Sequence, residues 1–105
     1  MSQFSVYKNK NPKTRTAYPY LVDVQADLLR DLRTRVVVPL VKLTSVGKKP
    51  VRNLTPVFEV DGQKFVMLVP QLAGISLNDL GSEVASVAQH RGEIIGALDF
   101  LITGI

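Results

Sequence analysis

Two adjacent side chains, His90 and Arg91, are the residues of this sequence best placed to take part in chemistry. His90 is the single histidine among 105 residues and cysteine is absent, so the sequence lacks the ligands of a zinc site. Arg91 could stabilise the negative charge of a phosphate in a transition state, which leaves metal-free cleavage of RNA open. A histidine near the start of a helix is also common on protein surfaces without any catalytic role.

The other polar groups have spacings that do not match an active site. The glycine and lysine at residues 47–48 lack the earlier glycine and the following Ser or Thr of a phosphate-binding loop. Asp23 and Asp27 flank a predicted turn, and Glu59 and Asp61 flank a predicted hairpin. We therefore predict a protein that binds a partner rather than an enzyme, with no metal and no cofactor.

Positive charge is concentrated in the first half of the chain. Residues 1–53 contain 11 Lys or Arg against three Asp, whereas residues 54–105 contain two against six carboxylates. Basic loops suit an acidic partner, either a nucleic acid or an acidic peptide, although they also increase solubility without binding anything. The two predicted loops carry Lys8, Lys10, Lys13 and Arg15 in the first and Lys48, Lys49 and Arg52 in the second.

Length and composition indicate one globular domain over residues 1–105. Hydrophobic residues make up 46% of the chain and charged residues 21%, which is ordinary for a globular protein. A chain of this length buries roughly 65% of its unfolded surface, enough for one core. No apolar run approaches the roughly 18 residues of a membrane span, and the first residues lack the apolar core of a signal peptide. We therefore expect a cytoplasmic protein.

A long helix over residues 86–105 is the element that would position His90 and Arg91. Ser86 and Gln89 have the spacing of a capping box at its start. Apolar residues then recur with helical periodicity, which predicts a face buried against a sheet. This face contains Val87, Arg91, Ile94, Leu98, Leu101 and Ile105, flanked by Ala88, Ile95 and Ile102.

The opposite face of this helix contains two glycines, Gly92 and Gly96, with Phe100 one turn further on. A glycine inside a helix is less favourable than alanine by about 1 kcal/mol. An outer face weakened in this way indicates a surface that a partner approaches closely, and an ordinary solvent-exposed face is the alternative.

Alternating apolar residues predict about five strands before the helix. The clearest signal is Asp61-Gly62 between two apolar runs, because both positions of a two-residue hairpin turn need positive φ. Pro19 predicts that the second strand starts at a sheet edge. Pro39 must occupy a strand position whose N–H is not needed for a hydrogen bond to a neighbouring strand. The predicted strands cover residues 3–7, 18–24, 35–40, 57–60 and 64–69.

Two connecting segments complete the predicted fold. Residues 25–34 are predicted as a turn that exposes Leu28 and Leu29, and residues 70–82 as irregular, with a short strand or single turn near residues 75–80. The sheet and the terminal helix together predict an α+β fold, in which the helix packs against a strongly bent antiparallel sheet or partly open barrel.

Four collinear segments resemble the CcdB family, the toxins of ccd toxin–antitoxin modules. They are residues 3–7, residues 22–29, residues 35–40 and the final Gly-Ile at residues 104–105. The Val-Asp-Val-Gln segment at residues 22–25 and the Gly-Ile end are the most specific parts, and the resemblance covers essentially the whole chain. It implies a homodimer of a small SH3-like domain, with a strongly bent sheet and a C-terminal helix.

The resemblance also implies a function. CcdB-like dimers bind the dimerised A subunit of DNA gyrase on its two-fold axis and hold the enzyme in a cleaved-DNA state. A symmetric dimer presents the same patch twice, and it shifts the equilibrium of its target by differential binding rather than by catalysis. The family's gyrase-contacting positions fall on Leu28, Leu29, Asp99, Thr103, Gly104 and Ile105, with Gly92, Gly96 and Phe100 as further candidates.

One of these positions departs from the family pattern. The family's tryptophan before the final Gly-Ile is replaced here by Thr103. Tryptophan is a typical hot-spot residue, whose truncation is often worth about 2 kcal/mol or more, so the affinity for gyrase and the range of gyrases bound are open. Phe100 could compensate, or it could pack against its own subunit or the dimer partner.

A second implied partner is a CcdA-like antitoxin, whose acidic and disordered C-terminal segment orders on the toxin. The two basic loops suit such a peptide and are predicted to bind it. The alternative, by analogy of fold, is an mRNA-cleaving endoribonuclease toxin in which the loops hold RNA phosphates and His90 or Arg91 takes part in cleavage. A third reading is a binding module without a target.

Overall fold

A computed structural model describes residues 2–45 and 50–104, and it has the predicted α+β architecture. A strongly curled antiparallel sheet, open as a half-barrel, packs against a C-terminal helix. The strands are β1 (Ser5–Asn9), β2 (Tyr20–Asp23), β3 (Thr34–Lys42), β4 (Val57–Val60), β5 (Gln63–Met67), β6 (Ala73–Ser76) and β7 (Leu80–Ser86). The helix is α1 (Arg91–Thr103), and short 3₁₀ turns lie at Asp27–Leu29, Leu43–Ser45, Val69–Gln71, Leu77–Asp79 and Ala88–His90.

The long strand β3 organises the sheet. The strand order is β4-β5-β3-β2-β1-β7, and β6 also pairs with β3. One edge of β3 pairs with β2, whereas the other edge pairs with β5 at residues 40–42 and with β6 at residues 34–37. Strand β7 pairs with β1 with two register shifts, which bend a strand and increase its twist.

Both faces of β3 are covered, as its run of β-branched residues predicts. On one face, Val22 and Val38 belong to the main core, which includes Ile94 and Ala97 of α1. On the other face, a smaller cluster contains Tyr7, Leu21, Val37 and Leu80. The connection from β6 to β7 supplies Leu77 to this second cluster and the start of β7 supplies Leu80, so the sheet is buried on the side away from the helix as well.

Local turn chemistry is confirmed where the sequence signal is strong. Asp61 and Gly62 have φ of 51° and 77°, and Val60 pairs with Gln63 across the two-residue turn. Pro39 lies inside β3, and its carbonyl accepts a hydrogen bond from Leu68 N at 3.0 Å. The N–H and C=O of one strand residue point to the same edge of the strand. The N–H that proline lacks would therefore point to the edge where β3 changes its partner from β5 to β6, and no hydrogen bond between strands is lost there.

Two expectations about the strands are wrong. Among the described residues the sheet has seven strands rather than about five, because residues 70–82 contain β6 and the start of β7. Strand β6 is mostly exposed and β7 shows no clear alternation of buried and exposed residues, so their pairing with β3 and β1 decides their structure. Strand β2 lies between β1 and β3 rather than starting at an edge, and Pro19 immediately precedes it.

The predicted start of the helix is also wrong. Ser86 is the last residue of β7, where it pairs with Ser5, and Val87 N donates to Phe4 O at 2.8 Å. Pairing with β1 therefore overrides the capping-box pattern, and α1 begins only at Arg91. Ser86 Oγ accepts from Ala88 N at 3.2 Å, which supports the intervening 3₁₀ turn rather than a helix. Within residues 2–45 and 50–104, no helix is long and apolar enough to cross a bilayer.

Candidate functional site

The Leu28–Leu29 turn projects from the sheet between β2 and β3, as the sequence predicts. Leu28 is 96% exposed and Leu29 48% exposed, and Leu32, just beyond the turn, is 51% exposed. No residue of the 3₁₀ turn at Asp27–Leu29 is buried, and its N-terminal residue Ala26 makes no side-chain cap. Three leucines within five residues thus form an apolar surface that packing against the core does not hold in place.

A buried ion pair lies under this turn. Asp23 and Arg35 have fully buried side chains, and Asp23 Oδ2 accepts from Arg35 Nε at 3.0 Å and from Nη2 at 2.5 Å. Asp23 Oδ1 also accepts from Gln25 N at 2.9 Å. The pair thus joins β2 to β3 and fixes the backbone where the chain leaves β2.

Beyond the last backbone hydrogen bond between β2 and β3, two glutamine side chains bind the backbone groups that have no partner on the neighbouring strand. Val36 N donates to Gln25 Oε1 at 3.1 Å, and Val24 O accepts from Gln3 Nε2 at 3.2 Å. Gln25 Nε2 donates in turn to Leu29 O at 3.0 Å. The backbone groups next to the ladder's last bond are therefore bound by side chains, and one of those side chains reaches the exposed turn.

Gln3 also connects the turn to the beginning of α1. Its N–H donates to Asp27 Oδ1 at 2.7 Å, and its Oε1 accepts from Arg91 Nη1 at 3.2 Å. The Arg91 guanidinium lies 5.7 Å from the centre of the Phe4 ring. Arg91 therefore contributes to a contact between the helix, the N-terminal segment and the turn.

The glycine face of α1 lines a groove of about 760 Å³. Its other wall is the segment from Pro50 to Val57, and Phe100 lies at the same groove. Added Cβ atoms at Gly92 and Gly96 would meet no atom within 4 Å, so the space above this face is open. The groove brings Gly92, Gly96 and Phe100, the further gyrase candidates, together with Arg52, which is predicted to bind the antitoxin.

The end of α1 is turned outwards. Gly104 has φ of 75° and its N–H donates to Phe100 O at 2.9 Å, as in a left-handed helix cap. Asp99 and Thr103 are exposed, and Thr103 Oγ1 donates to Asp99 O at 2.7 Å. Ile105, predicted to contact gyrase, lies outside the described residues.

Ile102 was missed as a surface residue. The sequence assigns it to the flank of the buried face, but it is 78% exposed on the last turn of α1. The reason is that α1 buries only a narrow stripe, with Ile94 and Ala97 as its buried residues. The signal was available, since Ile102 directly precedes Thr103 in the segment that resembles the family's binding end.

The first basic loop is ordered by Asn9 at the end of β1. Asn9 Nδ2 donates to Thr14 Oγ1 at 3.0 Å and to Tyr18 O at 2.9 Å, and its Oδ1 accepts from Asn11 N at 3.0 Å. The cationic side chains around this loop are exposed: Lys8, Lys10, Lys13 and Arg15. In the second basic segment Arg52 is exposed, while Lys48 and Lys49 lie outside the described residues.

His90 is engaged in packing at the start of α1. Its ring centre lies 4.6 Å from that of Phe58, and its Nδ1 is 3.8 Å from Glu93 Oε1. Arg91 faces Gln3 and Phe4 instead. The two neighbours in the sequence therefore make separate contacts, each of which has a structural role.

The sequence model of the CcdB family, described as CcdB protein, matches residues 3–104. This chain belongs to the CcdB family. Membership places it among the toxins of toxin–antitoxin modules. The CcdB match covers the turn, the buried pair and α1 together, so these features belong to one family fold.

A solved structure resembles this CcdB-family chain in fold. It is described as an endoribonuclease in complex with its cognate antitoxin from mycobacterial species, with a TM-score of 0.75. Sequence identity is 13%, over 97% of this chain and 94% of that chain. At this identity the likeness shows the fold alone.

The sequence reasoning missed the polar residues beneath the CcdB-family turn. Asp23 and Arg35 are charged residues within two of the predicted strands, residues 18–24 and 35–40, and a buried charge needs a partner. Asp23 lies two residues after Leu21, and Arg35 lies two residues before Val37. This spacing places the four side chains on the same face of the sheet. This signal was sufficient to predict the pair, whereas the contacts of Gln25 and Gln3 depend on the path of the turn.

Proposed function

We propose that this chain is a gyrase poison of the CcdB type. It acts as a cytoplasmic homodimer that binds the dimerised A subunit of DNA gyrase and traps the cleaved-DNA complex without catalysing a reaction. The observation that carries the proposal is the projecting turn, where Leu28 is 96% exposed above a fully buried ion pair. An ordered, exposed apolar surface of this kind suits a protein partner.

The proposed mechanism is a shift in population. A dimer presents each turn and each helix end twice, which matches a target that is itself two-fold symmetric. Contacts formed only in the open, cleaved form of gyrase stabilise that form relative to the closed one. The contacts come from Leu28 and Leu29 in the turn and from Asp99, Thr103, Gly104 and Ile105 at the end of α1.

We assign the glycine face of α1 to close approach by the target. Gly92 and Gly96 leave open space above the helix, and Phe100 supplies an aromatic side chain in the same groove. With Thr103 in place of the family's tryptophan, Phe100 and Ile102 are the large apolar side chains near the helix end. They replace part of the contact area that the tryptophan provides.

The antitoxin is the second proposed partner. A CcdA-like protein with an acidic, disordered segment would meet the exposed cations Lys8, Lys10, Lys13, Arg15 and Arg52, and it is also proposed to bind Lys48 and Lys49. Opposite charges speed the encounter, and apolar anchors then hold the ordered peptide. Arg52 lies at the groove beside α1, which offers the apolar surface for such an anchor.

The deciding experiment is a DNA gyrase cleavage assay with ATP. The intact protein is compared with a variant that lacks Gly104 and Ile105, and circular dichroism checks that both are folded. We expect double-strand breaks with the intact protein and their loss on truncation. Absence of breaks at saturating intact protein would refute the proposal.

The alternative function is cleavage of mRNA, which is supported by the endoribonuclease whose fold this chain shares. In that case His90 and Arg91 would take part in the reaction, and the basic loops would hold the phosphates. An RNA-cleavage assay with the intact protein and with the variants His90→Ala and Arg91→Ala tests it. Cleavage that depends on these residues would favour this function over gyrase poisoning.

A further inference from the structure

The Leu28–Leu29 turn is held by hydrogen bonds rather than by packing. Within the described chain, the backbone bonds of the turn run from Leu29 N to Ala26 O, from Arg30 N to Asp27 O and from Leu32 N to Leu29 O, and Gln3 N also donates to Asp27 Oδ1. Since none of its three residues is buried, the hydrophobic effect does not fix its position. Something else must set the direction in which the leucines point.

The geometry points to Gln25 as the positioning residue that fixes this turn on β3. Its side chain is 93% buried, and its two polar atoms have separate partners. Nε2 donates to Leu29 O at 3.0 Å, and Oε1 accepts from Val36 N at 3.1 Å. The carboxamide therefore bridges the last residue of the exposed turn to the backbone of a central strand.

A carboxamide is the side chain that this position requires. The Leu29 carbonyl, which also accepts from Leu32 N at 3.1 Å, takes a second donor here, and the Val36 N–H needs an acceptor. Gln supplies both groups from one planar amide. A glutamate would keep the acceptor but place an oxygen against the Leu29 carbonyl. A methionine of similar length would remove both bonds and leave the partly buried Val36 N–H without this acceptor.

Gln25 is itself rigidly placed. Its N–H donates to Asp23 Oδ1 at 2.9 Å, and Asp23 is locked by Arg35 in the buried pair. The ion pair therefore holds the backbone of Gln25, and the Gln25 carboxamide in turn holds the Leu29 carbonyl. The exposed leucines are presented by a buried polar network that makes no contact with a partner.

This inference rests on the proposed function, because the turn is taken to contact gyrase. Rigid presentation lowers the conformational entropy that binding must overcome. Loss of the bond between Gln25 and Leu29 O should therefore weaken inhibition about tenfold, the factor that corresponds to one modest hydrogen-bond contribution. The fold should persist, since the hydrophobic core is untouched.

The test compares Gln25→Met and Gln25→Glu with a matched control, Gln71→Met. Gln71 is an exposed glutamine whose Oε1 accepts from Tyr18 OH at 3.0 Å, away from the turn. Amide hydrogen exchange is measured at Leu29 and Arg30. We expect about tenfold faster exchange at both in the two Gln25 variants, with the β4–β5 hairpin and the control unchanged.

A double-mutant cycle separates positioning from general destabilisation. In a background with Leu28→Ala and Leu29→Ala, the change Gln25→Met should weaken gyrase inhibition no further, because the groups it positions are gone. A full additional loss in that background would overturn the inference, as would unchanged exchange at Leu29 and Arg30 in both Gln25 variants. The inference would also be overturned if Gln25→Met inhibits gyrase as well as the intact protein while the variant with Leu28→Ala and Leu29→Ala inhibits it less.

The two proposals can fail separately. If the intact protein does not inhibit gyrase, or if the leucine variant inhibits as well as the intact protein, the proposed use of the turn fails. The exchange rates at Leu29 and Arg30 then decide alone whether Gln25 positions the turn. If inhibition depends on the leucines but not on Gln25, the proposed function stands and this inference falls.

Discussion

Replacement of Asp23 by asparagine tests the energetic role of the buried ion pair. Both side chains of the pair are fully buried, and Asp23 accepts two hydrogen bonds from Arg35 and one from Gln25. Removing one partner of a buried pair leaves an uncompensated charge and costs about 3–5 kcal/mol. Because asparagine keeps one oxygen in place, we expect the lower end, about 3 kcal/mol.

This loss is large compared with the stability of a small domain, which is about 5–15 kcal/mol in total. At about 4 °C per kcal/mol, the midpoint of thermal unfolding should fall by roughly 12 °C. Urea unfolding followed by circular dichroism measures the change at a fixed protein concentration, since self-association would alter the apparent stability. The control is Asp31→Asn, which changes an exposed carboxylate near the same turn.

The double variant Asp23→Leu with Arg35→Met completes the experiment. It removes both charges, and buried pairs replaced by apolar residues of similar volume are often no less stable. We therefore expect the double variant to be more stable than Asp23→Asn. A loss below about 1 kcal/mol in Asp23→Asn, or a double variant less stable than the single one, would refute the reasoning.

Three further predictions concern the groove, the basic segment and the second core. Gly96→Ala should stabilise α1 by up to about 1 kcal/mol, since its Cβ meets open space, and an unfolding assay measures this gain. The same change should weaken the binding of any partner that lies on this face, which a binding assay measures. Neutralising Lys48, Lys49 and Arg52 together should slow antitoxin association and reduce its salt dependence, and an unchanged rate in stopped-flow measurements would exclude steering by this segment. Burial raises the pKa of Tyr7, so the unfolded chain loses its phenolic proton first and stability falls as pH rises above about 10; Tyr7→Phe should remove that part of the alkaline loss.

Strong local signals predicted much of this fold. Asp61-Gly62 alone determines a hairpin, and the exposure of Leu28 follows from two leucines between charged neighbours in a turn. Pro39 was correctly placed where no ladder donor is needed. In each case the deciding interaction lies within a few residues, so the sequence contains it in readable form.

The missed elements depend on pairing between distant segments. Strand β7 has little β-branched content and is formed because β1 lies beside it, and the same pairing draws Ser86 out of the predicted helix. The site follows the same rule. Exposure of the leucines could be predicted, whereas the bond from Gln25 to Leu29 requires the path of the turn, and the width of the buried stripe on α1 requires the curvature of the sheet.

The pairing of β1 with β7 has a consequence for synthesis of the protein. Ser5 pairs with Ser86, so the first strand cannot complete its edge until residue 86 has left the ribosome. Pairings between such distant segments make folding slow, because a long loop must close before its contacts form. A nascent or prematurely terminated chain therefore has neither the closed sheet nor the helix that packs on it. Any activity that needs the closed sheet must therefore wait until both strands have been synthesised.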